Sequence, residues 1–489
     1  MSVDEYTVVL RATAIGNILI QVMDSLRDWA RHGPWCGGRS LRRLTAPRRV
    51  GMRRTGGTGY CLKPETRAWR RGELAGNLAF EATCLISPLR AALFTDCFSE
   101  ANGVATLSRQ FAAFASRRQL PFLCVHSGPR TQIASQRSFT AVEIKRGPAA
   151  FPLDHDLSCD PFLSRYKNWV TAQVRPFHPH LVHITAPGDI GILGLWVAHT
   201  LRVPLVASWH TNLHEYAGQR LNKLFSFLPD TWRERISVTA EEWSLRACMR
   251  FYGLARFLLA PNEAMVHLLQ QRTGKPAFLM AHGVDTEAYS PQRRCRRDRS
   301  FSIGYVGRLT PEKNVRMFAD LERSLLDRGR RDFRFTLIGE GNERDWLRKN
   351  LEFGETPGIL RGEALAEAFA NMDVFVFPSR TDTFGLVLLE AMASGVPVVV
   401  SPETGARVGV RHGVTGFHAP DVHSFTESVL QLMNSEPLRQ RIGAAARIFS
   451  CSRVWNGVFE RLYWTYERGL EETGCRPSDR AIAESQTTS

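Results

Sequence analysis

Short apolar strand signals alternate with helical stretches twice along this chain. The first series follows Arg90 and runs through AALFTD, PFLCVHSG, LVHIT, PLVASWH and RFLLAP, with amphipathic stretches between them. The second series follows the basic stretch 293–299 and runs through SIGYVG, FRFTLIGEG, ILRG, DVFVFPS and VPVVVS. Strands separated by helices predict βαβ units and parallel sheets. The chain is therefore predicted to be an α/β protein with two Rossmann-like, doubly wound domains facing each other across a cleft.

Length and composition fit two such domains and limit the class of protein. The chain has 489 residues, of which 44% are hydrophobic and 23% are charged, so a disordered or fibrous chain is excluded. Lys and Arg number 63 against 48 Asp and Glu, a net charge of +15 that predicts an anionic partner. A nucleotide, a phospholipid surface and nucleic acid all remain open on charge alone.

The cysteines and the apolar stretches of the sequence predict a cytoplasmic location. The ten cysteines are scattered and include no C-x-x-C pair, which predicts neither a zinc site nor a disulfide framework. No apolar stretch approaches the roughly 18 residues that span a bilayer, and the best N-terminal candidate, 8–23, is interrupted by Arg11 and Asn17. We therefore expect a cytoplasmic protein without a signal peptide or a membrane anchor.

Changes in composition indicate where the domains begin and end. An Arg- and Gly-rich tract precedes the first strand, and it has too little apolar surface to offset its ordering entropy. We expect this extension to be disordered and dispensable for activity; a basic tail that binds nucleic acid or membrane is the alternative. The predicted divisions are 1–88 for the extension, 89–285 for the first domain, 286–299 for a basic linker, 300–454 for the second domain, 455–472 for a C-terminal helix and 473–489 for a polar tail.

The segment PSRTDTFGLVLLEAMASGVP carries the strongest functional signal. It predicts a strand end, an acidic loop and a helix that ends at a glycine and a proline. Glu390 has apolar neighbours in this helix, where a carboxylate is costly without a partner such as the hydroxyl pair of a sugar or ribose. The amides of Phe384, Gly385 and Leu386 are predicted to face an anion, since helix N-termini attract phosphate. Asp382 before them has a structural alternative as an N-cap.

The segment GYVGRLTPEKN places basic residues at the end of the first strand of the second domain. Gly307 allows close backbone approach, and Arg308 sits at the strand tip. Lys313 falls in the first turn of a helix predicted to begin at Thr310 and Pro311, where the helix dipole disfavours a cation. A diphosphate between Lys313 and Arg308 would explain this placement. A solvated lysine paired with a nearby acid is the structural alternative.

Two strand ends of the first domain offer further candidates. His210, in SWHTN, follows a predicted strand, and Asn102-Gly103 is a turn pair after the first strand that would let a sugar phosphate approach the backbone. Neither G-x-G-x-x-G after a first strand nor G-x-x-x-x-G-K-[ST] occurs in the sequence. Their absence argues against nicotinamide, flavin and P-loop enzymes. The DHD at 154–156 matches a D-x-D metal motif, but it lies in a predicted loop and we interpret it as structural.

Taken together, these segments resemble the retaining glycosyltransferases of the GT-B fold, specifically family 4. The resemblance covers about 89–470 and rests on VGRL-x-x-EKN, LIGEG, SWHTN, HGVD at 282–285 and the acid-x7-Glu element TDTFGLVLLE. It implies a nucleotide-diphosphate sugar held mainly by the second domain, an acceptor held mainly by the first, and a C-terminal helix packed back on the first. The TDTFG version is similar to a subgroup with mannosyl- and sulfoquinovosyl-type lipid transferases.

The resemblance also implies roles for individual residues. Arg308 and Lys313 would hold the donor diphosphate, whereas Asp382 and His210 would contact the donor sugar near the reaction centre. Glu390 would bind the nucleotide ribose. The first acid of this element is often Glu in the family, so the aspartate here is one methylene shorter. The remaining donor contacts that the resemblance implies are Phe384, Gly385, Leu386, Gly307, Gly103 and Asn102.

The implied reaction is hexosyl transfer from a UDP- or GDP-linked sugar with retention of configuration. Negative charge develops on the leaving diphosphate, and the cations and the helix N-terminus would stabilise it without a metal or another cofactor. The acceptor is expected to be either a small molecule or a lipid, the latter with contact to an anionic membrane at its inner face. The alternatives are an epimerase or a phosphorylase on the same fold, and a basic membrane- or nucleic-acid-binding protein, although no nucleic-acid reading module is recognised.

Overall fold

The computed structural model describes residues 89–474 apart from 101, 155–156, 211–229, 381, 404 and 406–408; the side chains of 152–157, 230–238 and 240 are not described either. The predicted extension 1–88 and the tail from 475 onward lie outside the described residues. No helix in the described part of the chain is both long enough and apolar enough to cross a membrane.

The first domain is built around a twisted sheet of buried apolar strands. Within the described residues the strand order is β10-β9-β8-β7-β1-β2-β4-β3, and β3 alone pairs antiparallel. A separate antiparallel pair, β5 with β6, flanks the DHD sequence. The strands are β1 Ala91–Thr95, β2 Phe122–Gly128, β3 Gln132–Gln136, β4 Phe139–Lys145, β5 Phe151–Asp154, β6 Leu157–Cys159, β7 Leu181–Ile184, β8 Leu205–Ser208, β9 Phe257–Ala260 and β10 Ala277–Leu279.

The second domain contains a parallel sheet with the strand order β13-β12-β11-β14-β15-β16. Its central strands are continuous apolar runs that are buried on both faces, as expected where helices cover both sides of a parallel sheet. The strands are β11 Phe301–Val306, β12 Phe333–Ile338, β13 Gly354–Gly358, β14 Val374–Phe377, β15 Val398–Val400 and β16 Gly416–His418.

Helices connect the strands and cover the two sheets. Those of the first domain are α1 Gly103–Arg117, α2 Lys167–Val174, α3 Asp189–Leu201, α4 Asp230–Tyr252 and α5 Glu263–Thr273. Those that follow are α6 Met317–Asp327, α7 Arg344–Asn350, α8 Gly362–Ala370, α9 Leu386–Ala393, α10 Val422–Asn434, α11 Glu436–Cys451 and α12 Trp455–Glu472.

The last helix, α12, buries its apolar face on the first domain. Phe459 stacks on Phe111 of α1, with ring centroids 4.8 Å apart and planes within 5°. Tyr466 and Leu470, further along α12, belong to the same apolar cluster. The spacing of these residues gives the helix one apolar stripe, which is the pattern expected of a helix packed on one face. Helix α12, the last in the described part of the chain, therefore completes the core of the first domain.

The structure confirms two Rossmann-like α/β domains, but some strand predictions were wrong. The apolar ILRG sequence at 359–362 was predicted as a strand, whereas β13 lies before it and pairs with β12, Gly354 opposite Phe335 and Glu355 opposite Thr336. Ile359 is instead 46% exposed and lines a cleft. The strand β3 was missed because all five of its residues are exposed, so it lacks the alternation that identifies a half-buried strand.

Candidate active site

A cleft of about 1720 Å³ lies between the two domains, at the carboxyl ends of β1, β11 and β12. This is where open parallel sheets of this type bind their ligands. Of the predicted site residues, the cleft is lined by Asn102, Gly103, Gly307, Arg308, Leu386 and Glu390. The other predicted residues, Lys313, Asp382, Phe384, Gly385 and His210, are not among its lining residues and lie in the contacts described below.

Two helix N-termini meet in this cleft. Asn102 caps α1, because its Oδ1 accepts a hydrogen bond of 2.9 Å from the Ala105 amide. Helix α9 begins at Leu386, directly after Gly385, which has a left-handed φ of +71°. A methyl group on Gly103 would lie 3.4 Å from Leu386 Cδ1, so the first residues of the two helices are neighbours. The Ala105 amide is taken by Asn102 and the Leu388 amide by the Gly385 carbonyl oxygen. The amides that precede them in each first turn have no acceptor within their own helices and together favour an anion.

The loop after β11 places Arg308 in the same cleft as these N-termini. The Tyr305 hydroxyl donates to the Arg308 carbonyl oxygen at 2.9 Å, which fixes the loop after β11. The next loop approaches closely: a side chain on Gly339 would lie 1.9 Å from the Gly307 carbonyl oxygen. The Arg308 Nη2 is 3.7 Å from Glu312 Oε1. This cation therefore lies in the cleft where a diphosphate would meet the helix N-termini.

Lys313 lies deeper, in an ion pair with Asp382. The structural alternative predicted a lysine paired with a nearby acid, but a solvated one, whereas this pair is largely buried. The Lys313 Nζ is 2.6 Å from Asp382 Oδ1. Burial alone would raise the pKa of Asp382, but the charge and hydrogen bond of Lys313, together with the charge of Arg308, hold it below its usual value. Asp382 is not an N-cap of α9. The helix predicted at Lys313 is a single 3-10 turn, Pro311–Lys313, because Asn314 turns the backbone into the left-handed region.

The loop before α9 also joins the two domains. The Thr383 hydroxyl donates to the His210 carbonyl oxygen at 2.7 Å, and Asn262 Nδ2 donates to the Thr383 carbonyl oxygen at 2.9 Å. Phe384 stacks on His282, with ring centroids 4.3 Å apart and an interplanar angle of 25°. The acidic loop of the second domain is thus attached to the strand end that carries His210.

His210 is buried and neutral. Burial lowers its pKa to about 4. Its Nε2 is 2.7 Å from the Ser208 hydroxyl, whereas its Nδ1 meets no hydrogen-bond partner in the described part of the chain. Its ring lies edge-on to His282, with centroids 5.6 Å apart. A buried ring nitrogen without a protein partner is a group that a ligand can satisfy.

Glu390 has a partner in Tyr289, which sequence reasoning missed. Both residues line the cleft. Burial raises the pKa of Glu390 to about 7, and a hydrogen bond from Tyr289 partly opposes that shift. Burial also raises the pKa of Tyr289. The carboxyl is therefore held at the point of ionising near neutral pH, facing a cleft where a pair of hydroxyl groups could bind it.

Other missed residues had weak signals in the sequence. His282 belongs to the HGVD sequence, which was noted without a role for the histidine, and Asn262 follows the RFLLAP strand. Asn262 both caps α5, through a 2.9 Å bond from the Met265 amide, and contacts the second domain. No group of three His, Cys, Asp or Glu residues suited to a metal ion occurs among the described residues. Most of the DHD sequence lies outside those residues.

This geometry defines a class: a two-domain α/β protein whose cleft, at the strand ends of both sheets, is lined by a cation, two helix N-termini and a carboxyl group. Comparison with known families matches residues 101–288 to Glycosyltransferase Family 4 and residues 300–435 to Glycosyl transferases group 1. The chain belongs to glycosyltransferase family 4, with the GT-B fold. It is thus a glycosyltransferase that uses a nucleotide sugar.

Individual proteins show how far the similarity extends. The chain is 30% identical to a GDP-mannose-dependent alpha-mannosyltransferase of Mycolicibacterium smegmatis over 71% of this chain and 88% of that protein. It is 31% identical to the sulfoquinovosyl transferase of Arabidopsis thaliana over 57% of this chain and 54% of that protein. Sucrose-phosphate synthase of Thermosynechococcus elongatus shares the fold, with a TM-score of 0.61 and 16% identity over 78% of this chain and all of that chain.

Proposed function

We propose that the protein transfers a hexosyl group from a GDP-linked sugar, with mannose as the first candidate, to an acceptor hydroxyl with retention of configuration. The observation that carries the proposal is that Arg308 and the N-termini of α1 and α9 line one cleft. These groups would stabilise the negative charge that develops on the leaving diphosphate. The names of the relatives that use GDP-mannose support the choice of nucleotide.

The roles of the surrounding residues follow from their contacts. Arg308 and Lys313 stabilise the leaving diphosphate, and such preorganised charges are commonly the largest catalytic contribution. Glu390 accepts hydrogen bonds from the ribose hydroxyls. Asp382, kept ionised by Lys313, and His210 contact the transferred sugar. No carboxylate is assigned as a covalent nucleophile in this proposal. The acceptor hydroxyl attacks the anomeric carbon from the side of the leaving group as the bond to the diphosphate breaks, and a phosphate oxygen takes the hydroxyl proton.

A lipid acceptor at the inner face of a membrane is part of this proposal, and one face of the first domain supports it. Between 157 and 210 the acids Asp160 and Asp189 are both buried. Phe162 is 60% exposed and Trp196 is 39% exposed, and Lys167 Nζ lies 4.4 Å from the centre of the Trp196 ring. Exposed aromatic rings beside a lysine favour an anionic lipid surface.

The nucleotide is tested by thermal unfolding of the full-length protein with GDP, UDP or ADP, each with and without EDTA. A ligand at about 100 times its Kd adds roughly 2.7 kcal/mol of stability, so the preferred nucleotide is identified by its shift. A shift with GDP alone, unchanged by EDTA, supports the proposal. A shift with UDP alone changes the nucleotide, and no shift with any of them removes the donor site.

The reaction and the acceptor are tested with GDP-mannose. The anomeric configuration of the glycoside product, observed by NMR and compared with that of GDP-mannose, distinguishes retention from inversion. Co-sedimentation with anionic and with zwitterionic vesicles tests the membrane face, using a Phe162→Ser, Trp196→Ser double variant. The matched control is Trp464→Ser, since Trp464 is 53% exposed on α12. Equal loss of vesicle binding in both variants would reject this face.

A further inference from the structure

A chain of buried hydrogen bonds connects helix α12 with the site histidine. The Tyr466 hydroxyl is 2.7 Å from His183 Nδ1. His183 Nε2 is 2.8 Å from the Ser208 hydroxyl, which in turn is 2.7 Å from His210 Nε2. All four residues are buried. Tyr466 lies on α12, His183 on β7 and Ser208 at the end of β8, and His210 follows two residues after Ser208.

The direction of these hydrogen bonds follows from the donors available. The Tyr466 hydroxyl contacts no second acceptor among the described residues, so it must donate to His183 Nδ1 for its proton to be satisfied. His183 then carries its proton on Nε2 and donates to Ser208. The Ser208 hydroxyl donates to His210 Nε2, because its contact with the Ile184 carbonyl oxygen is longer, at 3.4 Å.

The same count of donors and acceptors disfavours the opposite direction of these hydrogen bonds. If His210 Nε2 donated to Ser208 and the chain ran outward, the phenolic proton of Tyr466 would be buried without an acceptor in the described structure. The inward direction leaves one buried donor instead, the Nδ1–H of His210, but that group lies at the strand end beside the acidic loop, where a ligand can accept from it, whereas Tyr466 is fully buried in the apolar cluster beneath α12. Both imidazoles are also neutral, since burial lowers the pKa of His183 to about 3 and that of His210 to about 4. Each ring therefore has one donor and one acceptor nitrogen, as the chain requires.

We propose that Tyr466, His183 and Ser208 are positioning residues that hold His210 in the tautomer with its proton on Nδ1. That nitrogen is the one without a partner among the described residues, so it is left to donate a hydrogen bond to bound substrate. The proposal deepens the proposed function and rests on the assignment of His210 to the transferred sugar. It also makes the state of the site depend on the seating of α12 against the first domain.

Helix α12 supplies a matched control. Tyr463 is also largely buried in the cluster beneath α12, but its hydroxyl has no hydrogen-bond partner among the described residues. Tyr466→Phe and Tyr463→Phe thus remove the same atom from neighbouring positions of the same helix, and only the first interrupts the chain. Ser208→Ala interrupts it at a second point.

The experiment is nitrogen NMR of the full-length protein with labelled histidines, with the His210 signals assigned by their loss in His210→Gln. We expect the Nδ1-protonated pattern for His210 in the wild type and in Tyr463→Phe, and a mixture of tautomers in Tyr466→Phe and Ser208→Ala. With GDP-mannose as donor, kcat should fall about tenfold in Tyr466→Phe, equivalent to 1.36 kcal/mol, while the donor KM stays within about twofold.

The outcomes separate this proposal from the function on which it rests. An unchanged His210 tautomer in Tyr466→Phe, or an equal change in Tyr463→Phe, overturns the proposal whatever the activity. Wild-type turnover by His210→Gln would remove His210 from the transferase site, while the NMR comparison would still decide whether the chain sets its tautomer. A lower unfolding temperature without a change in tautomer would indicate a purely structural role and would also overturn the proposal.

Discussion

Lys313 and Asp382 form a buried ion pair, with 2.6 Å between Nζ and Oδ1. The pair joins the turn after β11 to the loop before α9. The cation assigned to the diphosphate and the acid assigned to the sugar therefore restrain one another. A phosphate that approached Lys313 would share this ammonium group with Asp382, so under the proposed roles one coupled unit would recognise the two halves of the donor.

Replacing the cation of this pair should abolish most catalysis while the fold persists. In Lys313→Ala we expect kcat/KM to fall by about 10²–10³, the usual loss for one preorganised charge, and a similar loss in Arg308→Ala. Asp382 loses its main stabilising partner, so its pKa rises and it can become neutral instead of remaining a buried charge. Steady-state kinetics measure the loss of catalysis, and circular dichroism checks that the fold persists.

The control for this prediction is Lys349→Ala, which removes an exposed lysine of the same domain. We expect that variant to retain wild-type kinetics. Turnover near the wild-type value in Lys313→Ala or in Arg308→Ala would withdraw the diphosphate assignment for the residue concerned.

Glu390 should make donor affinity depend on pH near neutrality. Its pKa is raised to about 7 by burial, and only the carboxylate accepts two hydroxyl donors. The Kd of GDP-mannose should therefore fall as pH rises from about 6 to about 8, a window set by that pKa. A nucleotide sugar is the suitable probe because its diphosphate does not ionise in this range. Calorimetry in Glu390→Gln should show weaker binding with no such dependence; an unchanged pH profile would contradict the role of Glu390.

The carboxyl of Glu390 also predicts that folding stability falls as pH rises, whereas donor affinity increases. A folded-state pKa of about 7 lies above the ordinary value of 4.5, so the native state binds the extra proton between these values. The stabilisation is complete below about pH 4.5 and is lost as pH rises through about 7. Relative to the wild type, Glu390→Gln should therefore become more stable as pH increases over this range, which denaturant unfolding at several pH values can measure. A difference independent of pH would reject the shifted pKa.

The sequence predicted the strand ends well but not the contacts across the fold. Arg308 and Glu390 share one cleft because parallel strands end at the same edge of a sheet, and their apolar runs locate those ends. The Lys313–Asp382 pair joins residues 69 positions apart, and Tyr466 meets His183 over 283 positions. No local pattern encodes such distances. The misplaced strand at 359–362 has the same origin, since an apolar run can line a cleft as well as a sheet.

Asn102 should allow helix capping to be separated from anion binding. Asn102→Ala removes the side-chain acceptor for the Ala105 amide and should cost about 1 kcal/mol of stability. Asn102→Asp keeps an acceptor, so the unfolding free energy should remain near wild type, but the added negative charge should raise the donor KM severalfold. Ser435→Asp is the control, because Ser435 caps α11 and is not a cleft-lining residue. Equal effects of the two aspartates on KM would exclude a phosphate near α1.

Arg146 organises the acidic end of β1 and should be the most damaging of these positions for stability. Its guanidinium donates twice to Asp189, at 2.8 Å each, and lies 3.7 Å from Asp96. Arg146→Leu leaves two buried carboxyls without their cation and should cost about 3 kcal/mol at neutral pH. In the wild type Arg146 holds the pKa of Asp189 down, so the stabilisation is present above about pH 4 and is lost as pH falls through the lowered pKa. The difference in unfolding free energy between the variant and the wild type should therefore shrink toward low pH in denaturant titrations.

The control is Arg175→Leu, which replaces an exposed arginine of the same domain and should keep the unfolding free energy within about 0.5 kcal/mol of wild type. An equal loss of stability in both variants would show that the buried cluster is not the cause.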